Sequence, residues 1–341
     1  MESIVSPKTE ATGEAKNENI LLIINPVSGK MKSKTGLFEI LDELYRLPDG
    51  SPNTRRLVTV CPTMFRGQAT ALAALAREKG FDRVICCGGD GTLNETVNGL
   101  MTIPGEMRPP LGYIAAGSTN DFATSIGLPS NLRDLAKIAG GEGDMPLDVG
   151  QFLPLDDGFA QDSRFFSYIA TFGVFSEASY ATPQNVKNVL GHMAYILSGI
   201  NELGNIQPYR VSVELADGTT TEGEYIFGAV TNTISAGGVV KLPADQVSLS
   251  DGALEVFLIR RPRNPGDLNR IISSLLASNY KDNPMIQFYH TPRARFTMDQ
   301  PLCWSLDGEE ARGGTRVEIV CHPEAIHLVH DSQREKREDN T

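Results

Sequence analysis

From Asn19 onward, apolar runs of strand length alternate with stretches of helical spacing. "NILLIIN" is followed by "TGLFEILDELYRL", "RRLVTVC" by "GQATALAALAREKG", "RVICCGG" by "LNETVNGLM", and "PLGYIAAG" by "NDFATSIGL". Short continuous apolar runs flanked by amphipathic helices predict strands buried on both faces. Repeated β–α units then predict a parallel sheet covered by helices.

The texture changes near Gln151. "RFFSYIATFG", "YRVSVELADGTTTEGEYIFGAVTN", "ALEVFLIRR", "ARFTMD", "PLCWSLDGE" and "TRVEIVC" read as strands with little helix between them. Asp217-Gly218 predicts the turn of a hairpin. One helix is expected at 185–203, where Val186, Val189, Leu190, Met193, Ile196, Leu197, Ile200 and Leu203 make an apolar stripe. That stripe packs on the domain or contacts lipid, and the spacing leaves both readings open. The fold class expected is α/β plus all-β. A three-layer α/β nucleotide-binding domain with a parallel sheet occupies 19–150, and an antiparallel β-sandwich occupies 151–330. A return of the last strand to the first domain is left open. Residues 1–18 and 331–341 are polar and are expected to be disordered.

Composition narrows the function. The chain has 341 residues, 40% of them hydrophobic and 21% charged, which is the make-up of a soluble globular protein. A net charge of -11 argues against nucleic acid as the main partner. No apolar run reaches the ~20 residues that span a bilayer, and no signal-peptide core is present. The five cysteines include no C-x-x-C pair, so buried, reduced thiols in a cytoplasmic protein are expected.

In an open parallel sheet, ligands sit beyond the carboxyl ends of the strands. Three loops there are rich in small or polar residues: "NPVSGK" (25–30), "GGDGTLNE" (88–95) and "AGSTND" (116–121). Glycine permits positive φ and lets a ligand approach the backbone, so Gly91 is expected to need one or the other. Thr92 and Glu95 have capping-box spacing and predict a helix starting at Thr92; Ser118 and Asp121 repeat the device. A helix N-terminus facing a glycine loop is a phosphate site. Each loop alone is equally a plain, well-capped turn, and the set of three favours a nucleotide. The first loop lacks the initial glycine of a P-loop, and Met31 follows Lys30. No G-x-G-x-x-G fingerprint is present in that turn either.

In order, "NPVSGK", "GGDGTLNETVNG", "GSTNDFATSIGLP", "LDVG", the stretch ending "LPADQVSLSDG", and "LDGE" resemble the diacylglycerol kinase/sphingosine kinase family of lipid kinases. The resemblance is closest to its soluble bacterial members and runs from about Ile20 to "HLVH". It implies an ATP-dependent kinase that phosphorylates a lipid hydroxyl, diacylglycerol foremost, to give phosphatidic acid. Another lipid acceptor (a sphingoid base or phosphatidylglycerol) and a silent nucleotide-binding protein are the alternatives. By the same resemblance Asn25, Pro26, Val27, Ser28 and Gly29 form a turn against ATP, and Thr63 contacts it. Gly89, Asp90, Gly91, Thr92, Leu93, Asn94 and Glu95 cradle its phosphates, and Ser118 lies in the third loop. Asp90 and Asp121 orient the Mg²⁺ that arrives with ATP, with Asp148 a further candidate. A structural Mg²⁺ would take the Asp251 carboxylate and the carbonyls of Ser248 and Ala253. Glu309 matches the general base. Tyr168 departs from an asparagine found in several members, which bears on the acceptor.

The lipid substrate implies peripheral contact with a membrane, and a homodimer is compatible with the reading. The basic stretch "IRRPRNPGDLNR", with Arg260, Arg261, Arg263 and Arg270 opposed by Asp267, is either a docking patch for an anionic surface or a solvated connection.

Overall fold

The parallel half is built on four strands: β1 (Glu18–Ile24), β2 (Arg56–Pro62), β3 (Arg83–Gly88) and β4 (Leu111–Ala115). Their order is β2-β1-β3-β4, all parallel. The structure is a computed structural model that describes residues 17–32, 36–118, 120–173, 207–232, 235–236, 240–241, 248–277, 279–280 and 282–330. The apolar helix expected at 185–203, residues 1–16 and residues 331–341 lie outside the described residues, while Glu18, expected in the polar lead-in, opens β1.

Ile20 to Ile24, Val84 to Cys87 and Leu111 to Ala115 are buried on both faces of the sheet, as continuous apolar runs require. The edge strand β2 alternates instead and leaves Leu57 59% exposed. The crossover helices are α1 (Gly36–Leu44), α2 (Gln68–Ala74), α3 (Asp90–Leu100), α4 (Asp121–Ser125) and α5 (Leu132–Ala139). Helix α1 packs with α5, and α2 with α3. Right-handed crossovers in this strand order put the two pairs on opposite faces. The chain leaves β1 toward β2 on one side and returns to β3 on the other. The switch point between the carboxyl ends of β1 and β3 is therefore where a ligand crevice opens.

The second half is an antiparallel sandwich. Its strands are β5 (Met145–Pro154), β6 (Arg164–Phe166), β7 (Ile169–Gly173), β8 (Tyr209–Leu215) and β9 (Thr220–Thr231). A short pair, β10 (Ser235–Ala236) and β11 (Val240–Lys241), precedes β12 (Leu254–Arg260). Helix α6 (Pro265–Ala277) comes next, then β13 (Ile286–Thr291), β14 (Arg293–Met298), β15 (Cys303–Leu306), β16 (Glu309–Arg312) and β17 (Arg316–Leu328). The path β16-β15-β7-β9-β8-β14-β17 continues into β4, with β12 and β13 branching from β9 and β5 and β6 from β17. Trp304, fully buried, centres the sandwich core, with the rings of Phe172, Phe296 and Phe152 at 4.9, 5.2 and 5.4 Å. The hairpin turn falls at Asp217-Gly218, where Gly218 has φ +85° and Thr219 N–H donates to the Asp217 carboxylate.

Strand β17 ties the halves together. It pairs antiparallel with β5 along both lengths, shifts register between His322 and Ile326, and ends with Leu328 beside Leu111 of β4. Three elements differ from the sequence reading. "RFFSYIATFG" is two strands, because the N–H groups of Ser167, Tyr168 and Ile169 all turn onto the carboxylate of Asp307. Helix α6 was not anticipated, although Leu268, Ile271 and Leu275 have helical spacing and Asn264 accepts from Asp267 N–H at its start. The thiols of Cys86, Cys87 and Cys321 are buried as expected, but Cys303 is exposed. Among the described residues no helix is long and apolar enough to cross a membrane.

Candidate active site

The three loops at the carboxyl ends of β1, β3 and β4 are knitted into one surface. Asn25 is the first tie. Its N–H donates to Cys87 O at 2.8 Å, its Oδ1 accepts from Val27 N–H, and its Nδ2 reaches Thr92 Oγ1 at 3.3 Å. Pro26 and Val27 are left exposed at the tip, and the Ser28 hydroxyl folds back onto Asn25 O. A Cβ on Gly29 would stand 3.2 Å from Ser118 Oγ, which brings the first and third loops together. The second and third meet through backbone alone: a Cβ on Gly117 would lie 2.6 Å from Gly89 Cα. No side chain fits at that crossing. Thr63, just past β2, donates its N–H to Ile24 O at 2.8 Å and so joins the same edge.

Helix α3 starts at Asp90, two residues before the expected Thr92, with extended Gly89 as its cap. The capping box is absent. Glu95 instead accepts the N–H groups of Gly67 and Ala69, fastening α2 beside α3. Thr92 N–H and Leu93 N–H close on Gly89 O, so the N–H groups without an intrahelical acceptor belong to Asp90 and Gly91. Leu93 is buried in the core, and Asn94 turns toward the sandwich. The backbone open to a ligand at this loop is therefore that of Gly89, Asp90 and Gly91, with Thr92 behind them, while the side chains of Leu93, Asn94 and Glu95 point elsewhere. Gly91 lies within the helix and is not among the positive-φ glycines. Ser118 makes no cap either; α4 begins after Asn120, at φ +54°. Lys30 is committed to Ala115 O and Ser130 O at 3.0 and 2.7 Å, which removes it as a P-loop lysine.

Asp90 Oδ2 accepts Asp121 N–H at 3.2 Å, while its Oδ1 is buried with no donor among the described residues. Burial, then the charge of Asp307, raises the Asp90 pKa. Burial and the charge of Asp90 push Asp121 up to about 6. Two adjacent carboxyl groups with raised proton affinity and one orphaned oxygen form a hard-oxygen donor set, which suits Mg²⁺.

Glu309 arrives from the sandwich. The turn Asp307-Gly308, with φ of +48° and +87°, aims it across the domain junction. A Cβ on Gly91 would be 3.7 Å from Glu309 Oε1. Its other oxygen, Oε2, accepts from Arg66 Nη2 at 2.5 Å. Sequence reasoning missed two residues here. Arg66 carries no motif of its own. Asp307 sits inside "LDGE", and its buried carboxylate gathers Asn94 Nδ2, three backbone N–H groups and the Ser167 hydroxyl. Burial raises the Asp307 pKa, and these donors pull it part of the way back.

A second acidic cluster lies at the start of β12. Asp251 Oδ1 accepts Ala253 N–H, and its Oδ2 is 3.6 Å from His290 Nε2. Asp148 belongs here rather than at the nucleotide loops: its two oxygens accept Gly252 N–H and Glu324 N–H, each at 2.7 Å. Glu255 is fully buried, neither of its oxygens accepts a hydrogen bond among the described residues, and burial lifts its pKa to about 8. Among the described residues no three His, Cys, Asp or Glu side chains converge as a metal set. A set of one carboxylate, Asp251, with the carbonyls of Ser248 and Ala253 remains compatible with the chemistry, and the His290 ring lies between it and Glu255, with Nδ1 3.4 Å from Glu255 Oε1.

In the basic stretch one arginine is ion-paired and another is stacked on a ring. Arg260 stacks over the Tyr225 ring at 5.3 Å, and Arg261 Nη1 pairs with Glu224 Oε2 at 3.3 Å. Asp267 accepts Arg263 N–H at the start of α6. Tyr168, at the position that departs from the resemblance, is buried.

Comparison with known proteins bears on this arrangement. Residues 19–152 match the diacylglycerol kinase catalytic domain, and residues 169–330 match the YegS C-terminal NAD kinase beta sandwich-like domain. The chain is 32% identical over 321 residues to a diacylglycerol kinase of Bacillus subtilis (strain 168), covering 94% of this chain and 98% of that one. It is 32% identical over 243 residues to a probable YegS-like lipid kinase of Chromohalobacter salexigens, covering 71% and 74%. Its fold is shared with a crystal structure of a putative diacylglycerol kinase from Bacillus anthracis str. Sterne, with TM-score 0.74, 23% identity, and 95% and 98% of the two chains covered.

Proposed function

Because the chain belongs to the diacylglycerol kinase catalytic-domain family of lipid kinases, we propose that it transfers the γ-phosphate of ATP to diacylglycerol, giving phosphatidic acid. The observation that carries this reading is the approach of Glu309 to Gly91: a carboxylate from the sandwich stands over the glycine loop, where a γ-phosphate and an acceptor hydroxyl would meet.

Phosphoryl transfer depends on positioning and charge neutralisation more than on covalent chemistry. The N–H groups of Asp90 and Gly91, at the positive end of α3, receive phosphate oxygens. Asn25 to Gly29, Thr63 and Ser118 wall the nucleotide. Asp90 and Asp121 would hold Mg²⁺, which when bound neutralises phosphate charge and orients the reacting group. Glu309 takes the proton of the acceptor hydroxyl as it attacks. At the second cluster Asp251, with the carbonyls of Ser248 and Ala253, would hold a structural Mg²⁺ bracing β12 against β5. The acceptor reaches the site from a membrane surface, which makes the association peripheral.

The test is an assay with ATP, Mg²⁺ and mixed micelles carrying diacylglycerol, a sphingoid base or phosphatidylglycerol, read by mass spectrometry. Phosphatidic acid as the main product is expected. Preference for another lipid would reassign the acceptor, and nucleotide binding with no lipid product would overturn the reading.

A further inference from the structure

The site as described is strongly acidic for a triphosphate. Asp90, Asp121, Asp307 and Glu309 all contribute to it, and Lys30 is spent on two carbonyls. A positive charge does reach the reaction centre, from the loop after β2. Arg66 Nη2 lies 2.5 Å from Glu309 Oε2. The other oxygen of the same carboxylate is the atom 3.7 Å from the Cβ position of Gly91. Guanidinium, base and phosphate loop are thus consecutive neighbours.

The backbone that carries Arg66 is fixed. Gly67 takes φ +84°, and its N–H and that of Ala69 are held by Glu95 of α3. Met64 N–H is closed by Gln68 Oε1 at 2.7 Å. The Arg66 side chain, by contrast, is 72% exposed and is free to turn about its own bonds. While the guanidinium holds Oε2, only Oε1 of Glu309 faces the loop to take a proton from an acceptor hydroxyl. A terminal phosphate over Gly91 offers the same guanidinium a more highly charged, fork-shaped partner.

We propose that Arg66 is an exchangeable phosphate ligand: the guanidinium that holds Glu309 Oε2 turns onto the terminal phosphate when ATP binds, and this releases that oxygen of the base. The proposal rests on the reading of the chain as an ATP-dependent kinase with Glu309 as base. It adds a cation that senses the γ-phosphate and couples nucleotide binding to release of the base. No bond is made or broken in the exchange; one ion pair replaces another.

The experiment is calorimetric titration of the full chain, in excess Mg²⁺, with ADP and with a non-hydrolysable ATP analogue. Arg66→Gln is expected to weaken the ATP analogue by about tenfold or more while moving ADP by less than about twofold, since ADP lacks the terminal phosphate. Arg66→Lys keeps the charge without the fork and is expected to recover part of the loss. Glu309→Gln frees the guanidinium, so it is expected to bind the analogue at least as tightly as the parent chain. Equal effects of Arg66→Gln on both nucleotides, or no effect on either, would overturn the proposal. A parent chain that binds neither nucleotide would instead overturn the kinase reading beneath it. The exposed side chain makes loss of folding in Arg66→Gln an unexpected result, and Arg66→Lys guards against it.

Discussion

Asn94 Nδ2 donates to Asp307 Oδ2 at 2.8 Å, joining residues 213 positions apart. One is on the helix whose N-terminus faces the proposed phosphate site. The other opens the turn that delivers Glu309. Asn98 adds to the same seam, with its Oδ1 accepting Phe165 N–H at 2.9 Å and its Nδ2 donating to Phe165 O. The proposed base and the proposed phosphate cradle come from different halves of the chain, and this pair sets their spacing.

Removing Asp307 would leave the buried N–H groups of Ser167, Tyr168 and Ile169 without acceptors. Asp307→Ala is expected to cost about 3 kcal/mol of stability in urea unfolding. Asn94→Ala should cost about 1 kcal/mol and lower kcat more than it raises the KM for ATP. A stability change in Asp307→Ala no larger than that of a surface substitution would contradict the clamp.

Two glycines of α3 separate a ligand constraint from a packing constraint. A Cβ on Gly99 would sit 2.3 Å from Thr70 O, so Gly99→Ala should destabilise the chain by about 1–3 kcal/mol. Gly91 has ordinary space and helical backbone. Gly91→Ala should fold as well as the parent or better, by up to about 1 kcal/mol, and yet bind ATP more weakly. Thermal unfolding and nucleotide titration of both variants check this; unchanged ATP affinity in Gly91→Ala would make the loop a turn and nothing more.

Magnesium at the second cluster should be visible without turnover. Added Mg²⁺ is expected to raise the melting temperature of the parent chain by mass action. Asp251→Asn should abolish that response while leaving the binding of Mg²⁺-nucleotide in place. A response that survives the substitution would rule out Asp251 as the ligand.

At the far side of β5, Asp156 accepts from the Thr315 hydroxyl and N–H and from Arg316 Nε, and these partners, the hydroxyl first, hold its pKa down at about 2. A depressed carboxyl contributes stability above its unfolded pKa of about 3.9 and loses it as pH falls toward the folded value. Acid unfolding of Asp156→Asn should therefore show a shallower decline between about pH 4 and about pH 2 than the parent chain does. Identical acid limbs would show that the contact stabilises nothing.

Much of the site was legible from local pattern. The alternation of "RVICCGG" with a helical stretch marks β3 and α3, and the small residues at 88–91 mark the ligand edge. What stayed hidden depends on partners far away in the chain. Thr92 and Glu95 have capping spacing, but Glu95 finds the N–H groups of α2, and the helix extends back to Asp90. Asp148 sits in a motif that follows the nucleotide domain, yet the turn at Gly252 claims it. Arg66 is unremarkable in sequence because its meaning comes from Glu309, 243 residues away. Asp307 did leave a signal, since an Asp-Gly pair before an acid favours positive φ and fixes where the acid points.

The most direct test of the whole account is phosphoryl transfer by Glu309→Gln, measured with labelled ATP and diacylglycerol micelles alongside nucleotide titration of the same preparation. The substitution keeps the shape and removes the proton acceptor. The account predicts that kcat falls by roughly 10²–10⁴-fold while the ATP analogue still binds. Turnover within a few-fold of the parent chain would contradict Glu309 as the base and, with it, the assembly of this site from two halves of the chain.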